Sequence, residues 1–140
     1  MAALWRRVRH HLRGALAMLG LCALLTLTAC GASSTGLTGN YVDDTVAVAQ
    51  RLIATIEIPQ DDPGHGAAEQ EARALINDYT ARYRPRSSVN GLSSFTTMQT
   101  ALNSLAGHYA TYANRPLPDA LRDRLEKELH KAERAVVRGA

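Results

Sequence analysis

Aspartate and glutamate are absent from the first 42 residues; all thirteen acids follow, beginning at Asp43. Four of the sixteen bases, Arg6, Arg7, Arg9 and Arg13, fall in that same acid-free stretch. The formal charge of +3 and the pI near 9.1 therefore describe the N-terminal segment, and the rest of the chain is nearly neutral. Overall basicity gives no argument for a polyanionic partner. Cysteine is nearly absent too: Cys22 and Cys30 are too few for a disulfide scaffold. Past the N-terminal segment no apolar run is long enough to span a bilayer. There is no strand-type alternation to support a sheet, and no internal repeat. What is present fits one domain: 140 residues, of which 46% are hydrophobic, too apolar for a disordered chain.

Residues 1–13 are basic, and residues 14–29 carry no charge. A positive segment, a short apolar run and then small residues make a secretory signal peptide; the run is too short for a stable membrane anchor. It ends in Leu27-Thr28-Ala29-Cys30, which resembles the bacterial lipobox. The resemblance implies a diacylglycerol thioether at Cys30, cleavage before it and acylation of the new amine. More than one acyl chain is needed for firm anchoring. Cys22 leaves with the signal and Cys30 is taken by lipid, so no disulfide, Cys–metal site or cysteine nucleophile is expected. The expected organisation is a signal peptide over 1–29, the lipidated Cys30 and a flexible tether over 30–39, and a helical domain over 40–140. A Gly/Ser/Thr-rich tether of that length reaches about 17 Å.

Four amphipathic stretches follow. Val42, Val46, Ala49, Ile53 and Ile56 form the first stripe, with Asn40 as N-cap and Asp43 and Asp44 in the first turn facing the helix dipole. Pro59 stops it, and 59–66 reads as a loop. The second runs from about Ala67 to Tyr83 on Ala68, Ala72, Leu75, Ile76, Tyr79 and Tyr83, and residues 85–92 turn the chain. The third runs from about Ser94 to Ala113 on Phe95, Met98, Leu102, Leu105, Tyr109 and Tyr112. The fourth opens at Pro118 and Asp119, with Leu121, Leu125, Leu129, Ala132 and Val136 inward and an Asp123–Lys127 pair outside. Short connections make neighbours antiparallel, so the expected fold class is all-α, an up-down-up-down four-helix bundle.

Chemistry is sparse. A di-iron bundle needs Glu-x-x-His pairs on two helices, and here Glu126 stands four residues before His130 with no partner motif. His65, between two glycines, reads as a surface imidazole, and His108 as a half-buried, hydrogen-bonded one. There is no haem-attachment sequence, nucleophile elbow, Ser-x-x-Lys pair or phosphate loop. No cofactor or metal is expected, and the domain reads as non-enzymatic.

Two surface features remain. Arg82-Tyr83-Arg84-Pro85-Arg86 is either a helix end stabilised by cations or a docking patch for an acidic protein loop; export argues against nucleic acid. Residues 87–114 contain no Asp, Glu, Lys or Arg, whereas residues 119–138 contain eleven in twenty. The third helix thus presents an uncharged but hydrogen-bonding outer face of Ser94, Thr97, Thr100, Asn103, Ser104 and Thr111. Such depletion fits an interface core or deeper packing in the bundle.

Several strings carry a resemblance: Leu37-Thr38-Gly39-Asn40-Tyr41, Leu75-Ile76-Asn77-Asp78-Tyr79, Arg82-Tyr83-Arg84, the run Gly91-Leu92-Ser93-Ser94-Phe95-Thr96-Thr97-Met98-Gln99-Thr100-Ala101-Leu102-Asn103, and Asn114-Arg115-Pro116-Leu117-Pro118. Together they resemble the small lumenal photosystem II assembly and repair lipoproteins of cyanobacteria, in the Psb protein series. The resemblance implies a four-helix bundle, monomeric by itself, lipid-anchored on the lumenal side of the thylakoid membrane. It implies transient binding to photosystem II intermediates at an inner chlorophyll-binding antenna subunit. That binding would aid manganese cluster assembly and hinder premature docking of the extrinsic oxygen-evolving subunits. The candidate contact residues are Arg82, Arg84, Thr97, Thr100, Thr111, Asn114 and Arg115, with Cys30 for the lipid. The Pro63-Gly64-His65-Gly66 loop departs from the family pattern and is assigned no role. The competing reading is an unrelated envelope lipoprotein acting as a helical-bundle adaptor.

Overall fold

The computed structural model describes residues 35–112 and 115–139; Cys30, the signal peptide and Asn114 lie outside them. Among the described residues the secondary structure is entirely helical. The elements are α1 (Tyr41–Ile56), α2 (His65–Tyr83), a single turn α3 (Ser87–Asn90), α4 (Ser93–Thr111) and α5 (Asp119–Val137). The three helices of 19 residues are each about 28 Å long.

The neighbours are α1 with α2, α2 with α4, α4 with α5 and α5 with α1, which closes a ring. Direction follows from the side-chain pairs. Asp44 meets Tyr83, Thr45 meets Tyr79 and Arg51 meets Glu71, so α1 and α2 run oppositely. Tyr79 stacks near Phe95 and Arg73 lies over Tyr109, so α2 and α4 do too. Gln50 meets Glu133 and Ile56 meets Arg122, which reverses α5 against α1. The result is the up-down-up-down bundle that the short connections predict.

Its core is Leu52, Leu75, Met98, Leu102, Leu105, Leu125 and Leu129 with the rings of Tyr79 and Tyr83, all at most 1% exposed. The α5 stripe is as expected at Leu125, Leu129, Ala132 and Val136, with Leu121 half-buried beside it. The α1 stripe is turned from its expected position. Thr45, Val48, Ala49, Leu52 and Ile56 face inward, Val46 and Ile53 are half-buried, and Val42 is 40% exposed. The cause is that Asp44 and Thr45 find partners inside, so the buried face includes two polar residues that an apolar count skips.

Other boundaries shift as well. α2 begins at His65, so that residue is the first of a helix and not a loop imidazole. The 85–92 turn contains α3, whose Val89 is buried under the bundle end. Ser94, expected outside, is fully buried and shares a hydrogen bond of 2.8 Å with the Tyr41 hydroxyl. The acid–base pairs on α5 are Arg122–Asp119, Arg124–Glu128 and His130–Glu133, in place of Asp123–Lys127.

The last part of the expected tether is also different. Thr35 and Leu37 are buried, so residues 35–39 are a strap laid on the bundle. The strap begins beside Arg51 and Asp78 and ends beside Arg82 and Arg86, then turns into α1. Gly39 makes that turn at φ +92°, a backbone region that a side chain disfavours. Asn40 then caps α1, accepting from the Val42 and Asp43 amides.

Candidate functional site

The most tightly built polar cluster holds the strap. Asp44 accepts from the Thr38 amide and hydroxyl, both at 2.8 Å, from the Gly39 amide at 2.9 Å and from the Tyr83 hydroxyl at 2.6 Å. Burial alone would raise its carboxyl, but the hydrogen bonds of Tyr83, Thr38 and Gly39 together outweigh burial and hold it below the usual carboxylate value. Burial pushes the Tyr83 hydroxyl up, and the facing Asp44 carboxylate adds to that. Tyr79 is likewise raised by burial; its hydroxyl donates to Thr45 Oγ1, which donates to the Tyr41 carbonyl. Every polar atom of this cluster is used in holding structure, and none is left poised toward a substrate.

Among the described residues no other cluster gathers reactive groups. Among the described residues there is no group of three or more His, Cys, Asp or Glu able to hold a metal ion. His108 is buried at the end of α4, with Nε2 3.4 Å from the Arg115 carbonyl and its ring beside Tyr112. It fastens the connection into α5, as a hydrogen-bonded histidine would.

The expected contact residues divide. Arg82 and Arg84 stand at the end of the bundle where α2 finishes, with Thr97 about one turn into α4 from there. Thr111 and Arg115 lie at the opposite end, so these residues do not form one patch. Arg82 is half-buried beside Gly39, whereas Arg84 is exposed and its guanidinium makes no hydrogen bond or ion pair with any described residue. Thr100 and Thr111 are exposed, Thr97 is half-buried and Ser104 is engaged by Arg124.

Sequence periodicity missed a groove between α2 and α4, the most sparsely packed pair in the ring. It has a volume of about 570 Å³ and is lined by Ile76, Asn77, Thr80 and Ala81 from α2 and Asn103 and Ala106 from α4, with Arg84 at one end. A smaller hollow continues it past Ala110 to Arg73. The arrangement can bind a surface; it offers no nucleophile, general base or oxyanion donor pair aimed at a common point.

Comparison with known proteins then decides the family. A family model described as photosystem II Pbs27 matches residues 6–136. The chain belongs to the photosystem II Pbs27 family. It is 48% identical over 132 residues to the photosystem II lipoprotein Psb27 of Synechocystis sp., covering 94% of this chain and 97% of that protein. It is 51% identical over 125 residues to the photosystem II assembly factor lipoprotein Psb27 of Thermosynechococcus vestitus, covering 86% and 93%. The solution structure of Psb27 from cyanobacterial photosystem II superposes with a TM-score of 0.73 at 51% identity, covering 81% of this chain and 98% of that one. Membership in the Pbs27 family sets aside the reading of an unrelated envelope adaptor. Relatives in this family carry the names of assembly factors, not of enzymes.

Proposed function

We propose that this protein is a photosystem II assembly and repair factor that works by occupying a surface. It binds transiently to lumenal faces of assembly intermediates, at the inner chlorophyll-binding antenna subunit. While bound, it keeps the manganese site accessible and hinders premature docking of the extrinsic oxygen-evolving subunits. A lipid at Cys30 tethers it to the lumenal side of the thylakoid membrane. The observation that carries this reading is 51% sequence identity with a photosystem II assembly factor lipoprotein over 86% of the chain. The uncharged face of α4, with Thr100 and Thr111 exposed, supports it as a surface suited to contact.

The test is affinity capture of the tagged chain from photosynthetic membranes. Intermediates without oxygen-evolving activity should be recovered; recovery of fully active complexes, or of no photosystem II subunit, defeats the reading. Thr100→Glu and Thr111→Lys should each lower that recovery while circular dichroism stays unchanged.

A further inference from the structure

The groove between α2 and α4 has features that the bundle itself does not need. The core side chains are buried, yet α2 and α4 approach each other less extensively than any other neighbouring pair in the ring. The lining is apolar at Ile76, Ala81 and Ala106, and the two alanines project little, so a backbone can approach closely there. Asn77, Thr80 and Asn103 supply donors and acceptors without charge. The α4 wall, Asn103 and Ala106, carries no Asp, Glu, Lys or Arg, since it lies inside the stretch 87–114 that lacks all four.

The charges at the two ends are unlike. At the far end Arg73 is already engaged: it pairs with Glu69, donates to the Tyr109 carbonyl and covers the Tyr109 ring. At the near end Arg84 is exposed and unpaired, and neither Arg82 nor Arg86 beside it is paired to a carboxylate among the described residues. A ligand in this groove therefore meets unneutralised positive charge at one end only. A guanidinium held there is suited to a carboxylate, which it can engage by two parallel hydrogen bonds.

We infer that the groove is a docking site for a short acidic protein segment, with small or apolar residues seated along Ile76, Ala81 and Ala106 and a carboxylate at Arg84. The inference rests on the assembly-factor reading above and names the kind of segment that reading requires. The charge also fixes direction, because a segment lying the other way would place its carboxylate against Glu69 and an Arg73 already engaged.

The experiment uses the full chain expressed in photosynthetic cells with a photoreactive benzoylphenylalanine at Ala106, or at Lys127 on the exposed side of α5 as control. After irradiation and capture, the cross-linked peptide is sequenced by mass spectrometry. The expected result is a photosystem II peptide with an Asp or Glu within a few residues of the linkage, at Ala106 and not at Lys127. Arg84→Glu should reduce that product at least tenfold, Arg84→Lys should retain part of it, and circular dichroism should match in all variants. If photosystem II subunits are captured but Ala106 cross-links no better than Lys127, the groove assignment is overturned and the assembly-factor reading stands. A cross-link to lipid, or one indifferent to Arg84→Glu, overturns the assignment as well. Failure of the unmodified chain to capture any photosystem II subunit overturns both.

Discussion

Asp44 shows how a single carboxylate can organise the entry to a fold. Two acids in the first turn of a helix read naturally as partners of its dipole, and Asp43 is indeed exposed there. Asp44 is 2% exposed and instead satisfies two backbone amides and two hydroxyls. A signal for this was available: Asp44 shares a helical face with Val48 and Leu52, four and eight residues on, but a count restricted to apolar residues passes over it. Asp44→Ala should cost about 2–4 kcal/mol in urea unfolding, because the strap amides and the Tyr83 hydroxyl lose their acceptor in a buried place. The pH dependence has a definite sign. The carboxyl is held below its usual value in the folded state, so its contribution is present above about pH 4 and is lost as pH falls through the folded value. Urea midpoints measured between pH 7 and pH 2.5 should fall on the acid side, and Asp44→Asn should flatten that fall. At high pH the tyrosines act the other way. Tyr79, Tyr83 and Tyr109 are all raised, Tyr109 to about 12, chiefly by burial, so the unfolded chain releases those protons first and stability declines above about pH 10. Phenolic absorbance should show them ionising together with loss of the helical circular dichroism; full ionisation in a still-folded protein at pH 10.5 would contradict this.

At the scale of the helix, α5 and α1 make an instructive pair. α5 was legible because its inward positions are all apolar and its outward positions mostly charged, so period and composition agree. α1 was legible as a helix but not in its rotation, since its inner face carries Asp44 and Thr45 while Val42 lies outside. The difference is measurable. Leu52→Ala should destabilise by about 2–5 kcal/mol, whereas Val42→Ala should change stability by no more than about 0.5 kcal/mol. Asn40→Ala should cost about 1 kcal/mol through the lost cap. The α4 face was half legible: the absence of charge was visible, but Ser94 proved to be core, and the groove beside α2 depends on a helix separation that no local pattern encodes.

For the whole molecule, short connections and four stripes were enough to give the ring of antiparallel helices, because each stripe can be covered only by its neighbours. The strap was not legible, since Gly, Ser and Thr composition suggests a free linker whether or not a carboxylate lies waiting for its amides. Lipidation should be seen directly: mass spectrometry of the native N-terminus is expected to find an acylated Cys30, and a free thiol there would remove the anchor from the functional reading. The strap would give the proposed anchor a mechanical meaning. It runs beside α2 from Asp78 to Arg82 and then reverses into α1. Tension on the N-terminal chain would be carried in shear by Thr35, Leu37, Thr38 and Gly39 acting as a group, before any helix is pulled from its end. A bundle loaded in this way can be held against a drifting membrane protein without its core being opened.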